Sequence, residues 1–427
     1  MATTTTIPMS EVKNLLNYTI DNNIKLQEEG KYPIAVSLEA DAGIGKTSVV
    51  RQVADERGMG FTQLNLSQLD EPGDLIGFPV KEFECQILRR VKKDDGTYSV
   101  SVLPDSVWVN EKQLDSAPGP DMKYRQTGVT RMSYAKPAWV PEYNENGNIF
   151  LLDDYVRAAP QLLQAAMEMI LNQGYVSWTL PKKTTIVLTN NPDNGAYNVS
   201  SLDEAQRTKF MNFDVAFDPN AWSRWAETAN IDGRCINFVM SYSDQLFNAD
   251  DDGNRICNPR SFVMFANMIS GVKDWDDADS LSFINLISKG CFKDENGRFS
   301  QMFNSFIRNK MHLLIQPKEM LLGGWDKVRD TLESALYDSN GQFRPDIASL
   351  LERRFSNYVL AWLSSDDKTP VSKVIDRIHE FIGNETKRNK KVFTKDLLYH
   401  MVKTITSEKR GQTNKLLYDP IITKAIS

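Results

Sequence analysis

The first part of the chain alternates between helical and strand-like patterns of apolar positions. Residues 9–30 repeat apolar side chains at the helical period, and Gly30 is placed to end that helix. The continuous apolar run 34–38 predicts a buried strand, residues 47–56 return to a helical pattern, and 61–66 predict a second strand. This alternation favours an α/β domain.

Residues 79–145 interrupt the alternation. Two stretches, 86–91 and 98–102, alternate apolar with polar residues around Asp95-Gly96, which predicts a β-hairpin. The remainder up to Pro141 is expected to form loops because it contains four prolines: Pro104, Pro118, Pro120 and Pro137. We expect an insertion presented at the surface of the α/β domain, and long segments of this kind are usually functional or disordered.

Two later strands are predicted to end in polar side chains. The apolar run 149–154 finishes with two carboxylates, and a helix with one apolar face follows it. After a hairpin predicted at 175–180, the strand 184–189 runs into Asn190-Asn191-Pro192. Ligands of α/β sheets bind beyond the carboxyl ends of the strands, so these polar residues lie where a site is expected.

From about residue 219 onward the pattern is helical. Asn258 is suited to cap a helix whose first position is Pro259. Residues 320–427 show only helical patterns and contain no recognisable motif.

The composition is that of an ordinary globular protein, with 427 residues, 41% hydrophobic, 25% charged and a formal net charge of −6. The acidic balance gives no overall basic footprint for nucleic acid. The first residues lack the basic and apolar regions of a signal sequence and no run of about 18 apolar residues occurs, so we expect a cytoplasmic protein. The scattered cysteines and histidines predict buried free thiols and solvated or core imidazoles: Cys85, Cys235, Cys257, Cys291, His312, His379 and His400.

Residues 40–47 match the P-loop pattern G-x-x-x-x-G-K-[ST] between a predicted strand and a predicted helix, except that Ala40 replaces the first glycine. A chance glycine-containing turn is the alternative, but the required elements flank the loop on both sides. The sequence therefore predicts a nucleotide-binding site.

The residue types of this loop suit phosphate. Gly43 and Gly45 allow backbone N–H groups to surround phosphate oxygens at a helix N-terminus. Lys46 adds a positive charge near the β and γ phosphates, and the Thr47 hydroxyl is a ligand for Mg²⁺. The predicted nucleotide-binding residues are Asp41, Ala42, Gly43, Ile44, Gly45, Lys46, Thr47 and Ser48.

Residues 10–270 resemble the AAA+ ATPases, and within them the MoxR-like and dynein-related group. The stretches that carry the resemblance, besides the P-loop, are Asp70 to Gly77 (similar to "D-L-x-G"), Asp153 to Pro160 (Walker B "D-E-x-x-R-A-P"), Asn190 to Pro192 (sensor 1), Leu202 to Phe210 ("L-x-x-A-x-x-x-R-F") and Asn258 to Arg260 (sensor 2).

The resemblance implies a P-loop AAA+ fold with a parallel sheet core flanked by helices. The implied domains are a nucleotide-binding core at 1–218 that contains the insertion 79–145, a helical lid at 219–320 and an all-α extension at 321–427. It also implies ATP and Mg²⁺ as cofactors and a homo-oligomeric ring, most often of six subunits.

The resemblance assigns roles to single residues. Asp153 would orient Mg²⁺ together with Thr47, and Asp154 would activate or orient the attacking water. Asn191 would be sensor 1, with Asn190 as the alternative, and Arg260 would reach the γ-phosphate from the lid. Each assignment has an alternative. Asp153-Asp154 could be an acid pair at a helix N-terminus, Asn191 a turn residue before proline, and Arg260 a solvated arginine in the first turn of a helix.

Two positions depart from the family pattern. Asp154 stands where the family has glutamate, and the shorter side chain should slow hydrolysis. Lys209 stands where the family places its arginine finger, and Arg207 lies two residues earlier. Lysine keeps the charge but loses the planar fork that suits phosphate oxygens. We hypothesise that Arg207 takes over the role of the finger or that turnover is slow.

The leading hypothesis is an ATP-driven factor that remodels or assembles a protein client. By analogy with MoxR-like proteins, a partner with a von Willebrand A domain is one candidate. A slow or non-hydrolysing ATP-dependent scaffold is the alternative. A nucleic-acid motor is less favoured because the chain is acidic and has no recognisable nucleic-acid module, and a small-molecule kinase is least favoured.

Overall fold

The structure, a computed structural model, describes residues 5–92, 94, 96–192, 204–249, 255–292, 296–338, 340–364, 371–387, 390–407 and 413–426. Three residues of the predicted motifs, Asp95, Leu202 and Asp203, lie outside these ranges. The chain forms two compact units. The first comprises Met1–Ile7, Glu11–Asp41 and Lys46–Ala216, and the second comprises Pro8–Ser10, Ala42–Gly45 and Phe217–Ser427.

The first unit contains a six-stranded sheet in the order β1-β11-β2-β10-β7-β3. Its strands are β1 Thr5–Pro8, β2 Val36–Glu39, β3 Gly60–Asn65, β7 Asn148–Asp153, β10 Thr184–Asn190 and β11 Met211–Ala216. The pairs β11–β2, β2–β10, β10–β7 and β7–β3 are all parallel. β7 and β10 lie inside the sheet and are almost completely buried, which explains their continuous apolar runs.

The helices of the first unit are α1 Met9–Glu28, α2 Lys46–Arg57, α3 Pro72–Ile76, α4 Glu111–Leu114, α5 Pro160–Asn172 and α6 Glu204–Arg207. Short 3₁₀ turns occur at Leu66–Gln68 and Tyr155–Arg157. The apolar face of α5 packs with Phe150 and Leu152 of β7 in one buried cluster. Trp139 adds a stacked contact to Phe150, with ring centroids 5.1 Å apart.

The strand pairing sets the positions of the polar strand ends. Asn65 pairs with Asp153, and Asn190 pairs with Glu39. Because parallel strands all point the same way, these residues meet at one edge of the sheet. The loop that follows β2 begins at this same edge.

The insertion is more regular than the sequence predicts. It forms a three-stranded antiparallel sheet in the order β5-β4-β6, with β4 Pro79–Lys92, β5 Tyr98–Asn110 and β6 Met122–Tyr134. The predicted hairpin is confirmed as β4–β5. The prediction of loops up to Pro141 is wrong for β6, whose pairing with the distant β4 outweighs the proline-rich flanks. Pro104 is tolerated because it lies in an outer strand.

Two strands of the main sheet have no counterpart among the predicted elements. β1 is only four residues long, and β11 is only partly buried and contains Asn212 and Asp214. Neither segment shows the apolar run of a central strand, because each lies toward the outer side of the sheet. A minor hairpin, β8 Gly174–Tyr175 with β9 Trp178–Thr179, confirms the hairpin predicted at 175–180.

Beyond residue 216 the second unit is helical in all its described elements. These are α7 Pro219–Thr228, α8 Gly233–Phe247, α9 Pro259–Ile269, α10 Ala278–Cys291, α11 Arg298–Arg308, α12 Pro317–Leu322, α13 Trp325–Leu336, α14 Pro345–Ser364, α15 Ser372–Gly383, α16 Lys395–Ser407, α17 Pro420–Ile426 and 3₁₀ turns at Met311–Leu313 and Thr413–Leu416. Its core is rich in aromatic rings. The centroid of the Phe238 ring lies 5.4 Å from that of Phe303 and 5.2 Å from that of Phe306. The predicted fold class, a parallel sheet flanked by helices and an all-helical C-terminal region, is confirmed.

Candidate functional site

The P-loop follows β2 and leads directly into α2. Gly43 and Gly45 have φ values of +83° and +104°, a backbone region that favours glycine. The P-loop pattern fixes glycine at the position of Gly45 and leaves the position of Gly43 open. Ala40 is buried, has no positive φ and donates its N–H to the carbonyl of Asn190 at 3.1 Å. The methyl group at Ala40 therefore fits without backbone strain, which accounts for the departure from the glycine pattern.

The Lys46 side chain is buried and lies among three oxygen acceptors. Its Nζ donates to the carbonyls of Ala40 at 2.6 Å and Asp41 at 3.1 Å, and to Oδ1 of Asn191 at 3.2 Å. A buried ammonium group is costly unless such acceptors surround it. The contact also joins the predicted phosphate-binding lysine to the predicted sensor residue.

Asp153 ends β7 and accepts hydrogen bonds from three side chains. The Thr47 hydroxyl donates to Oδ1 at 3.2 Å, the Thr189 hydroxyl donates to the same oxygen, and Nε2 of Gln63 donates to Oδ2 at 2.7 Å. Carboxylate and hydroxyl oxygens are the ligand types that Mg²⁺ prefers. Thr47 and Asp153 therefore fit the predicted metal ligands, although no cluster of three or more acidic, His or Cys ligands occurs among the described residues.

Gln63 and Thr189 were missed by the sequence prediction. Each lies near the carboxyl end of a strand that neighbours β7, and that strand order is set by the tertiary structure. The alternation of side chains along β3 is the signal that could have singled out Gln63, but only once its neighbour was known.

Asp154 adopts a left-handed backbone conformation, with φ +51° and ψ +40°. Asp tolerates this region better than most residues. Its Oδ1 accepts a hydrogen bond from Nδ2 of Asn191 at 3.1 Å, and its Oδ2 lies 3.8 Å from Nη1 of Arg157. The turn after β7 thus directs two consecutive carboxylates to different partners.

The two consecutive asparagines also differ. Asn190 is used within the sheet, since its Nδ2 donates to Ser37 at 2.9 Å and its Oδ1 accepts from the Val156 N–H at 3.3 Å. Asn191 instead bridges Lys46 and Asp154. This geometry favours Asn191 over Asn190 for a role beside a phosphate.

Arg207 and Lys209 have no hydrogen bond or ion pair with Asp153, Asp154 or Asn191 among those that the described residues form. Arg207 is exposed at the end of α6, and Lys209 is half-buried. Phe210 is buried and holds the segment by an edge contact with Tyr155 at 6.3 Å. Burial raises the pKa of the nearby Asp214 carboxyl, and the Arg207 charge opposes that rise.

Within the second unit, Arg260 is exposed in the first turn of α9. Asn258 caps that helix through the Ser261 N–H at 2.9 Å, and Pro259 follows it, as predicted. The loop residues Ala42–Gly45 belong to this unit, and a Cβ at Gly43 would lie 2.7 Å from Oδ1 of Asn258 and 2.9 Å from Cβ of Arg260. The remaining P-loop residues Asp41, Ala42 and Ile44 are half-buried, and Ser48 is exposed on α2.

Other predicted features lie away from these residues. The four cysteines are free, as predicted, and three are buried while Cys291 is half-buried. Burial raises the pKa of the Cys235 thiol well above its usual range. In the described part of the chain, no helix has the length and apolarity needed to cross a bilayer.

No protein family and no curated protein sequence matches this chain. Among solved structures, a candidate ATPase from Cytophaga hutchinsonii is similar at 14% identity and a TM-score of 0.26, covering 85% of this chain and 80% of that one. The RuvB Holliday junction branch migration motor of Thermotoga maritima is similar at 11% identity and a TM-score of 0.33, covering 92% and 95%. Likenesses of this size leave the function to be inferred from the site itself.

We expect Gly43→Ala to destabilise the protein and weaken nucleotide binding. The new Cβ would clash with Asn258 and would hold an alanine at positive φ, whereas Gly30→Ala meets nothing within 4 Å at a φ of +74°. Gly30→Ala is therefore the control for backbone strain alone, which costs about 1 kcal/mol. Thermal unfolding with and without nucleotide measures both effects. Equal losses in the two variants would contradict the clash.

Proposed function

We propose that this chain is a Mg²⁺-dependent ATPase of the AAA+ class. The observation that carries the proposal is the hydrogen-bonded set of Lys46, Asn191 and Asp154, beside Thr47 and Asp153, at the carboxyl edge of the sheet. Residues predicted separately from three distant sequence stretches meet here. A chance glycine-containing turn with a lysine would not need to lie beside Asp153-Asp154 and Asn191.

In this proposal the P-loop binds the phosphates of ATP. Backbone N–H groups around Gly43 and Gly45 and the N-terminus of α2 supply positive potential, and the Lys46 ammonium adds a full charge. The acceptors around Lys46 keep its side chain within the loop, and one of its three N–H donors must exchange a protein acceptor for a phosphate oxygen when ATP binds. Asp41, Ala42, Ile44 and Ser48 complete the predicted contacts.

Thr47 and Asp153 would hold Mg²⁺, which neutralises charge on the phosphates. Gln63 and Thr189 support this role because they fix the orientation of the Asp153 carboxylate. Residues that orient a metal ligand commonly matter nearly as much as the ligand.

Asp154 would activate or orient the attacking water, with Asn191 positioning both the carboxylate and the γ-phosphate. The Asp154 carboxylate already has Asn191 and Arg157 as partners, and it is one methylene shorter than glutamate. Both features support slow hydrolysis, because a general base must reach its water within about 2.6–3.2 Å. Arg260 remains a predicted sensor of the γ-phosphate.

We further propose that ATP binding assembles the chain into a ring, most often hexameric in the resembled family, and that Arg207 acts in trans as the finger. The exposure of Arg207 supports this assignment, since a residue that serves a neighbouring subunit must face outward. The work of the ring would be remodelling or assembly of a protein client, of which a von Willebrand A domain protein is one candidate. A scaffold that binds ATP and hydrolyses almost none is the second candidate, and the restrained Asp154 favours it.

The first test is steady-state ATP turnover. We expect slow turnover in the unchanged protein, a loss of about 10²-fold or more in Asp154→Asn, and no turnover in Lys46→Ala. Asp154→Glu should raise turnover because its carboxylate reaches further. Turnover that survives Lys46→Ala would contradict the proposal. If turnover is absent in the unchanged protein and in Asp154→Glu while ATP still drives assembly, the scaffold is selected.

Gln63→Leu should raise the Mg²⁺ concentration that gives half-maximal turnover by about tenfold, because Asp153 loses the hydrogen bond to Oδ2. The control is Gln52→Leu on α2, whose amide donates only to the exposed Glu56 at 3.1 Å. A Mg²⁺ titration at saturating ATP distinguishes the two variants. An unchanged Mg²⁺ requirement in Gln63→Leu would show that Asp153 needs no such support.

Arg207→Ala should lower turnover strongly without weakening ATP binding, since a finger is worth about 10³–10⁵ in rate. Lys209→Ala is the matched variant and should lose less. Mixing Arg207→Ala with Asp154→Asn should restore part of the activity, because each subunit then supplies what its neighbour lacks. If both single variants keep full turnover, the finger lies elsewhere or does not exist.

A further inference from the structure

The half of the insertion sheet next to the β4–β5 turn has one face whose composition the nucleotide site does not explain. Directly paired residues project to the same face of a sheet. The pairs on this face are Leu88 with Val102, Arg90 with Val100, Lys92 with Tyr98, Leu88 with Lys123 and Gln86 with Arg125. We call these nine residues the tip face.

The tip face exposes a continuous apolar stripe. Val100 is 65% exposed, Tyr98 53% and Val102 47%, and all three project from the outer strand β5. Exposed apolar side chains at every second position of an outer strand are unusual in the absence of a partner. The stripe therefore indicates a contact surface.

The tip face carries four cations. Arg90 and Lys92 pair directly with Val100 and Tyr98 of the stripe, and Lys123 and Arg125 lie one strand further away on β6. The Arg90 guanidinium lies 4.0 Å from the centre of the Tyr98 ring, and Arg125 donates to Gln86. Within the described residues none of the four forms an ion pair, and the strands contribute no carboxylate to this half of the face. Among the described residues, Asp94 and Asp121 lie in the turns that flank it.

The other half of the same face is different. Arg131 pairs with Glu82 at 2.8 Å and lies over Trp108. Glu84 accepts hydrogen bonds from Thr127 at 2.7 Å and Ser106 at 2.8 Å, and these bonds lower the pKa of its carboxyl. In this half Arg131 is matched by Glu82 and hydroxyl groups bind Glu84, so these residues carry no excess of cations.

We propose that the tip face binds an acidic polypeptide segment that also carries apolar side chains. This partner class deepens the proposed function, on which it rests, by stating what kind of client segment the insertion recognises. Cations at the border match carboxylates of the segment, while the valine stripe matches its apolar residues. Single-stranded nucleic acid fits less well, because such strands stack their bases on aromatic side chains and Tyr98 is the one aromatic residue of the tip face, already covered by Arg90.

The test uses the full chain and a labelled peptide of alternating glutamate and valine, with binding followed by fluorescence anisotropy. Arg90→Glu and Lys123→Glu should each raise the Kd by about tenfold, because attraction becomes repulsion. Arg89→Glu is the matched control, since Arg89 is the exposed neighbour that pairs with Ser101 and Met122 on the opposite face. Its Kd should stay within about twofold of the unchanged protein.

Three results would overturn the proposal. Equal weakening by Arg89→Glu would mean that only the net charge matters. Equal binding of a glutamate–serine peptide would remove the role of the valine stripe. Tighter binding of oligothymidylate with the same dependence on Arg90 would assign the face to nucleic acid. ATP turnover is measured in parallel: peptide binding without turnover contradicts the ATPase alone, and turnover without peptide binding contradicts the tip face alone.

Discussion

A buried ammonium group at the edge of a parallel sheet is the constraint on which the candidate site depends. The carbonyl and amide oxygens around the Lys46 ammonium group offset the cost of burying it. Two of those oxygens come from the loop after β2 and the third comes from the end of β10. The ammonium group therefore ties the loop conformation to the position of a neighbouring strand.

At the same edge, small backbone differences give consecutive residues different hydrogen-bond partners. Asp153 still belongs to β7 and is held by side chains of the adjacent strands, whereas Asp154 leaves the strand with a positive φ and meets Asn191. Asn190 likewise remains within the sheet while Asn191 projects beyond it. Consecutive residues of one type thus face separate environments, because strand side chains alternate and the strand ends between them.

The helical second unit and the antiparallel sheet of the insertion differ in how much of their apolar surface they bury. The second unit buries its aromatic side chains in a large core, in which Phe238 contacts several other rings. The insertion is a single three-stranded sheet, and it leaves valines and cations exposed near the β4–β5 turn. A segment that is regular but not buried can be retained for contact with other molecules, which is consistent with its place outside the six-stranded sheet.

The elements with strong local signals could be predicted from the sequence, and the strand–loop–helix setting of residues 36–57 is among them. The buried strands before Asp153 and Asn190, the glycines at positive φ and the Asn258 cap all follow from local chemistry and agree with the structure. Strand order, and with it the contacts of Gln63 and Thr189 with Asp153, was decided only by tertiary structure. β6 and β11 also depend on tertiary structure. Their hydrogen-bonding partners lie far away in the chain, and no local sequence pattern identifies a partner.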